Sequence, residues 1–214
     1  MREHQRSQAM NISCIAVAAA LCLAAAAPVA AQQAGDWTIG LGIHNVDPRS
    51  DTGTLAGGTV PTRIDDNTRP TVTVEYFLRD NLGVELLGAL PFKHSIRSGG
   101  VEIGTVKHLP PVISLQYHFD ATPRLKPFVG VGVNFTGFWD AEAKGPLAGS
   151  DLRVKNSWGL AAHLGADYWL NDRSALRLDA RWIDIDPDVE LNGARIGQVQ
   201  IDPVVIGAAY VMKF

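Results

Sequence analysis

Hydrophobic and polar positions alternate along most of this chain, most cleanly over residues 153–170, and two neighbouring segments between residues 107 and 138 show the pattern as a pair. The first segment reads KHLPPVISLQYHF, and after a short DATPR joint the second reads LKPFVGVGVNFTGF. A period of two is typical of a β-strand, because successive side chains point to opposite faces. Each segment is about a dozen residues long, which suits a strand tilted across a bilayer, where roughly 9–11 residues are needed. The pattern therefore predicts a transmembrane β-hairpin.

The same alternation recurs along the rest of the chain and predicts eight strands. They cover residues 36–46, 69–79, 82–91, 107–119, 125–138, 153–170, 173–184 and 198–214. The connections are short near 80–81, 120–123 and 171–172, and long near 47–68, 92–106, 140–152 and 185–197. An even strand number with short periplasmic turns and longer external loops is typical of outer-membrane barrels. The predicted fold class is all-β: an eight-stranded antiparallel transmembrane β-barrel, closed so that no edge is left unpaired in lipid, with both termini on the periplasmic side.

The distribution of charge predicts which face of each strand meets lipid. The apolar parity carries no Lys, Arg, Asp or Glu within the central span of any predicted strand. The opposite parity holds Glu75, Glu85, Lys126, Lys155, Asp167, Arg177, Asp179 and Arg181. A Lys or Arg facing the bilayer midplane costs roughly 2–4 kcal/mol, so the charged parity is expected to face the lumen. A soluble barrel of this size would show the reverse arrangement.

Aromatic residues of the outward parity fall near the two ends of the predicted strands, as interfacial girdles do. The lower, periplasmic group is Trp37, Tyr117, Phe119, Tyr168, Tyr210 and Phe214, and the upper group is Trp139, Trp158 and Trp182. The chain ends on an aromatic strand closing in Phe214. A terminal Phe is typical of the signal that the barrel-assembly machinery reads in Gram-negative bacteria, so that machinery is an expected partner.

Residues 1–31 have the composition of a secretory signal peptide: a basic start, an apolar run and the small residues Val29-Ala30-Ala31. Cleavage is expected after Ala31, which leaves residues 32–214 as the mature outer-membrane barrel. Both cysteines, Cys14 and Cys22, lie in the signal segment, so the mature chain needs no disulfide. The net charge of −3 indicates no general attraction to nucleic acid. The expected location is the outer membrane of a Gram-negative bacterium.

The segment from Lys107 to Phe119, followed by LKPFVGVGVNFT, is similar to the core of the OmpW family of outer-membrane proteins. The spacing of eight strands and the terminal aromatic strand agree with that family, and the resemblance covers essentially the whole mature chain. It implies a narrow eight-stranded barrel and a role in the passage of small hydrophobic molecules, with some relatives linked to alkane uptake. The loops of this chain diverge, so the identity of a ligand does not carry over.

The inward parity predicts a lumen in two layers. An eight-stranded barrel is just wide enough inside for side chains, so no water-filled pore is expected. The lower half is expected to hold a charged plug of Glu75, Glu85, Gln116, His118, Lys126, His163, Asp167, Arg177 and Asp179. The upper half is expected to form an apolar pocket, with substrate-binding candidates Leu87, Pro91, Pro110, Val112, Ile201 and Val205. Alternatively, these residues merely fill the barrel.

A hydrophobic molecule in the upper pocket would meet the polar layer below and is expected to leave sideways into the bilayer. Pro91, Pro110 and Pro111 cannot donate ladder hydrogen bonds and could weaken the wall at that height. The expected partners are thus outer-membrane lipid, lipopolysaccharide and a small hydrophobic ligand.

The polar residues and loops suggest three other functions: a metal site, an enzyme site and a surface that binds a partner. His108, His118 and His163 are inward, but no tight metal-ligand spacing occurs, so no metal site and no other cofactor is expected. His94-Ser95 and His44 form no legible acid–base–nucleophile set, so no enzyme activity is expected. The alternative function that stays open is a structural or adhesive barrel, whose external loops bind a phage, a bacteriocin or a host surface.

Overall fold

The computed structural model describes residues 32–214, so the predicted signal peptide lies outside the described residues. The described chain forms sixteen strands and one short 3-10 helix, Gly145–Leu147. In chain order the strands are β1 (Trp37–Asp47), β2 (Thr54–Leu55), β3 (Val60–Pro61), β4 (Arg63–Ile64), β5 (Asn67–Arg79), β6 (Leu82–Ala89), β7 (Phe92–Ser98), β8 (Val101–Leu109), β9 (Val112–His118), β10 (Leu125–Ala143), β11 (Leu152–Val154), β12 (Ser157–Asn171), β13 (Ser174–Ile183), β14 (Asp188–Leu191), β15 (Ala194–Gln198) and β16 (Val204–Lys213). Across residues 32–214, no helix is long and apolar enough to cross a membrane.

Eight of these strands close into an antiparallel barrel, as the alternation predicts. Around the wall the order is β1, β5, β6, β9, β10, β12, β13 and β16, and β16 pairs back onto β1. The last residue is held to the first strand, because Phe214 and Trp37 exchange backbone hydrogen bonds of 2.8 and 3.3 Å. The short connections at 80–81, 119–124 and 172–173 lie at one end of the barrel, and the long ones at the other.

The predicted orientation of the side chains is confirmed. Leu164, Leu178 and Val131 on the outer wall are 62–67% exposed, whereas Arg177 inside is 1% exposed. The aromatic residues Trp37, Tyr117, Tyr210, Trp158 and Trp182 are likewise exposed outside the wall. This arrangement of apolar residues outside and ionic residues inside suits a barrel surrounded by acyl chains.

The long connections are more ordered than the sequence analysis expects. The expected loop at 92–106 is instead the hairpin β7–β8, which pairs with the upper end of β10 and, through β7, with β4. The connections at 140–152 and 185–197 contribute the end of β10 and the small sheet β11–β14–β15. Their polar, glycine-rich composition predicts loops, but polar strands form where the wall extends beyond the membrane.

Three predicted strand boundaries are wrong. The last strand begins at Val204 and not at residue 198, because Gln198 ends β15 and residues 199–203 connect the two strands. The single strand expected over residues 107–119 is two strands, because Pro110 and Pro111 separate β8 from β9. The strand expected from Arg153 begins at Ser157 instead, since residues 152–154 belong to β11. Lys155, expected to face the lumen, is therefore exposed and pairs with Glu190 at 3.2 Å.

Candidate functional site

Arg177 lies at the centre of a buried ionic network in the lower half of the lumen. Its guanidinium donates from Nε to Oδ1 of Asp167 at 2.7 Å and from Nη2 to Oδ2 at 2.9 Å. It also donates to Glu85 at 2.5 Å and to Glu75 at 3.4 Å. The guanidinium carbon lies 4.6 Å from the centroid of the Phe128 ring. A buried charge must be paired to be tolerated, and this arginine is shared among three carboxylates.

Arg181 is the second centre of the network. It lies four residues after Arg177, on the same face of β13. It donates to Glu85 at 2.6 Å, to Asp179 at 2.9 Å and to Nδ1 of His163 at 2.8 Å. On the far side of Asp179, Nε2 of His44 lies 3.0 Å from Oδ1. Glu85 joins the two arginines, so the two centres are one network.

Gln116 and His118 extend this charged layer towards the periplasmic opening. Nε2 of Gln116 lies 3.0 Å from Oε2 of Glu75, and Nε2 of His118 lies 2.9 Å from Oε1 of the same carboxylate. Lys126 is buried near the opening and pairs with Asp120. The network draws on β1, β5, β6, β9, β12 and β13, so it crosses the lumen and leaves no straight aqueous path along the axis.

Above the charged layer, the lumen is filled by one apolar cluster. Leu87, Val112, Ile201 and Val205 belong to it and are each at most 6% exposed. The cluster also contains side chains from the external segments, namely Leu55, Ile64, Phe92, Leu152, Val189 and Val199. The upper layer is thus apolar as expected, but it is a packed core covered by the loops rather than an open pocket.

The remaining two predicted ligand residues are prolines at the edge of this cluster. Pro110 is buried, in agreement with its inward parity, whereas Pro91 is exposed. The placement of Pro91 in the lumen is therefore wrong. Leu90 and Pro91 are both exposed in succession between Ala89 and the buried Phe92, and this bend shifts the alternation by one residue.

The wall beside the apolar cluster has an interrupted hydrogen-bond ladder. The β6–β9 ladder ends at the pair Leu87–Val112, and the β7–β8 ladder begins at the pair Phe92–His108. Between them, within residues 32–214, residues 88–91 form no ladder pairs with residues 109–111, although Gly88, Ala89 and Leu109 pair with the strands on their other sides. Two of the three residues on the second side are proline and lack an N–H to donate. We call residues 88–91 and 109–111 the wall gap.

Aromatic rings stack at the upper border of the wall gap. The His108 ring lies 5.4 Å from Phe92, 5.5 Å from Phe138 and 4.9 Å from His94, measured between centroids. Burial lowers the pKa of His108 to about 3, and the neighbouring His94 adds to that effect. Burial also lowers the pKa of His94, whose Nδ1 lies 2.6 Å from the carbonyl oxygen of Asp65. Both imidazoles therefore act as neutral packing groups at neutral pH.

The structure places the three candidate metal histidines apart. His118 and His163 belong to the charged layer, and His108 belongs to the aromatic stack. A different group comes together at the outer rim, where carboxylate oxygens of Asp184, Asp186 and Asp202 lie within 4.8 Å of one another. Asp202 also accepts a hydrogen bond from Arg49 at 3.1 Å. The pKa of Asp186 is raised, mainly by burial and to a lesser extent by the charges of Asp202 and Asp184.

Sequence reasoning missed two members of the charged layer. The predicted lower half includes neither His44, which lies in the predicted strand 36–46, nor Arg181, yet both are at most 2% exposed within the layer. Their parity offered the signal, because His44 lies two residues from Gly42 and Arg181 two residues from Asp179 on the inward face. His94 and Ser95, the candidates for an enzyme site, lie instead in the external hairpin.

Comparison with known proteins gives a consistent result. Residues 33–214 match the model of a family described as the OmpW family. Outer membrane protein W of Vibrio cholerae is 36% identical over 94% of this chain and 97% of its own length. Outer membrane protein AlkL of Ectopseudomonas oleovorans is 32% identical over 83% and 82%, respectively. The crystal structure of the outer membrane protein OprG from Pseudomonas aeruginosa superimposes with a TM-score of 0.76, at 30% identity, over 86% of this chain and 98% of that one.

Proposed function

Because the chain belongs to the OmpW family and is an outer-membrane protein of a Gram-negative bacterium, we propose that it lets small hydrophobic molecules through the outer membrane. The observation that carries the proposal is the position of the apolar cluster. It lies above a layer of buried ions and directly beside the wall gap. An apolar route from the outside to the bilayer therefore needs no passage through the charged layer.

Entry is selective because of what fills the upper lumen. A hydrophobic molecule that displaces Leu55 or Ile64 replaces apolar contacts with apolar contacts, at little cost in transfer free energy. A polar solute in the same place loses its hydrogen bonds to water, at roughly 2–7 kcal/mol for each unpaired group. The side chains of the external segments are thus displaced by apolar molecules more easily than by polar ones, which makes entry selective.

The charged layer makes the axial route unfavourable and the lateral route favourable. An apolar molecule moving down the axis would have to separate Arg177 and Arg181 from their carboxylates, and uncovering such a buried pair costs several kcal/mol. Through the wall gap it meets Leu90, Leu109 and Pro111 and then the acyl chains outside. The ladder there is already interrupted, so fewer backbone hydrogen bonds must break.

The test is the rate at which cells take up a radiolabelled alkane. Three strains are compared: one with the gene, one without it, and one in which the gene is restored. We expect the gene to raise the alkane uptake rate and to leave the uptake rate of a small hydrophilic solute unchanged. Equal alkane uptake rates with and without the gene would disprove the proposed transport function and would not affect the assignment of the fold.

The folded external surface favours one alternative function, namely binding of a phage, bacteriocin or host surface. Strands β7, β8 and β10 build one sheet beyond the barrel, and β11, β14 and β15 build another. Such ordered segments can present a fixed binding surface. Replacing the exposed hairpin tip at residues 192–195, which lies outside the apolar cluster, with a Gly-Ser turn separates the two functions. This variant would weaken partner binding and spare alkane uptake if adhesion is the role of the loops.

A further inference from the structure

Two lysines lie side by side on the outer face of the wall, above the wall gap. Lys93 of β7 and Lys107 of β8 are directly paired cross-strand partners, and the next residue in the same row is Trp139 of β10. Lys93 is exposed, and the side chain of Lys107 is 43% exposed. Like charges directly opposite each other on neighbouring strands are destabilising. An anion close to both ammonium groups relieves this repulsion, and Asp140 does so for Lys107 alone.

The height of this pair on the barrel indicates which anion it meets. Phe135 and Trp158 pair across β10 and β12, with ring centroids 4.8 Å apart, at the level of the upper aromatic girdle. Trp139 is four residues higher on β10. Trp139 belongs to the same upper aromatic group, so the upper edge of that band is at the level of the lysine pair. The lysine pair thus faces the headgroup region of the outer leaflet.

The charges around the pair leave it net positive. Lys107 pairs with Asp140 at 2.9 Å, and Lys144 pairs with Glu142 at 2.7 Å. Within residues 32–214, Lys93 makes no ion pair within 4.0 Å. Its main-chain oxygen accepts a hydrogen bond from Asn67 at 2.8 Å, which fixes the strand. The Lys93 ammonium lies near enough to Glu142 to lower the pKa of that carboxyl, after the larger effect of Lys144, but forms no ion pair with it.

We propose that Lys93, Lys107 and Trp139 form a binding site for the phosphate of a phosphorylated lipid, the lipid A of lipopolysaccharide. The two ammonium groups bind the phosphate, and the indole lies beside the glucosamine at the interface, where Trp side chains are favoured. Below the pair, the outward surface consists of Leu90, Leu109 and Pro111 of the wall gap. The acyl chains of the bound lipid lie against that surface. This site does not depend on the transport function.

The experiment measures binding of lipid A to the purified full barrel in an uncharged detergent by native mass spectrometry. Bisphosphorylated lipid A is compared with dephosphorylated lipid A carrying the same acyl chains. The variants are Lys93→Gln with Lys107→Gln, and Lys93→Arg with Lys107→Arg. Lys155→Gln is the matched control, because Lys155 is an exposed lysine of the external region paired with Glu190.

A basic residue near an anionic lipid surface contributes about 1 kcal/mol, so loss of both lysines is expected to weaken binding of bisphosphorylated lipid A about 10-fold or more. The double-arginine variant and Lys155→Gln are expected to bind like the wild type, and added salt to weaken binding. The site is disproved if dephosphorylated lipid A binds equally well, if the double-glutamine variant binds like the wild type, or if Lys155→Gln loses as much. Heat-dependent migration on gels checks that each variant is folded.

Discussion

At the residue scale, small inward residues make room for the large ionic side chains of the lumen. Gly130 faces His163 across β10 and β12, and a Cβ atom at Gly130 would lie 1.9 Å from Nε2 of that ring. Gly207 stands in the same relation to His44, at 2.0 Å from Cδ2. These glycines are required by close approach, and they let the imidazoles reach Arg181 and Asp179. A narrow barrel can hold a polar network only if some inward positions carry no side chain.

Replacing Gly130 with alanine tests this packing. The added methyl would push the His163 ring away from Arg181, and overpacking of this kind costs about 1–3 kcal/mol of unfolding free energy. Gly137→Ala on the same strand is the matched control, because its Cβ would have its nearest neighbour at 3.7 Å. Urea unfolding in lipid vesicles gives both free energies. Equal values for the two variants would contradict the proposed role of Gly130.

The sequence could place most of the charged layer but not its connections. Alternation alone puts Glu75, Glu85 and Arg177 on the inward face, because a one-residue shift would turn charges towards lipid. Alternation cannot show that one carboxylate serves two arginines, since that depends on the stagger between strands that are distant in sequence. His44 shows the same limit: alternation puts it on the inward face of the first strand, but cannot show that it reaches Asp179 of β13.

At the element scale, the wall gap exists because two strand ends carry residues that cannot continue the ladder. The sequence suggested weak pairing at Pro91, Pro110 and Pro111, and the structure places the interruption there. The sequence pattern did not show that the chain splits into β8 and β9, because the alternation runs through both prolines without a break. Polarity and glycine content were equally poor guides to β7, β8 and the sheet of β11, β14 and β15.

Restoring hydrogen-bond donors should close the gap. In the variant with Pro110→Ala and Pro111→Ala, the two new N–H groups point to opposite sides of the strand, so the one at residue 110 becomes available to the facing segment 88–91 and the other faces β10. Each new hydrogen bond contributes about 1 kcal/mol, so the population of open gaps, and with it alkane uptake, is expected to fall roughly fivefold or more. Pro127→Ala, in the lower part of β10, is the control and should take up alkane at the wild-type rate. Unchanged uptake in the double variant would argue against lateral exit here.

The external hairpin should loosen in acid. The folded pKa of His108 is lowered from 6.5 to about 3, so between these values the unfolded hairpin binds more protons than the folded one. Its contribution to stability is fully present above pH 6.5 and is lost as the pH falls towards 3. At pH 5 the loss is about 2 kcal/mol. Amide hydrogen exchange of β7 and β8, corrected for the intrinsic rate, is expected to speed up accordingly between pH about 7.5 and about 5.

His108→Phe supplies the control for this pH dependence. Phenylalanine keeps a ring between Phe92 and Phe138 and carries no titrating group. The variant should show a smaller acid-induced rise in exchange than the wild type, with only the contribution of His94 remaining. If both proteins respond alike, the acid sensitivity lies elsewhere in the chain.

At the scale of the whole molecule, the barrel combines three environments in one cylinder. The outer wall is apolar between two aromatic girdles, the lower lumen is ionic, and the upper lumen is apolar and covered by external β-structure. In the proposed route, an apolar molecule that displaces the packed loop side chains meets apolar surface from the outside to the bilayer, whereas a polar solute or an ion does not. The orientation and strand number followed from the sequence. The filled state of the upper lumen did not, because it depends on loop side chains whose folding no local pattern reveals.

The account is tested most directly by labelling the lumen with a photoreactive alkane on intact cells and mapping the modified residues by mass spectrometry. Lipid dissolves the probe, so outward residues such as Val131 will be labelled in any case; Leu87 and Val112, at 6% and 1% exposed, are not reachable from lipid. We expect labels on Leu87, Val112 and the wall gap, suppressed by an excess of unlabelled alkane. Labels on Gln116 or Glu75 of the charged layer, or uptake without any label on Leu87 and Val112, would contradict the lateral route.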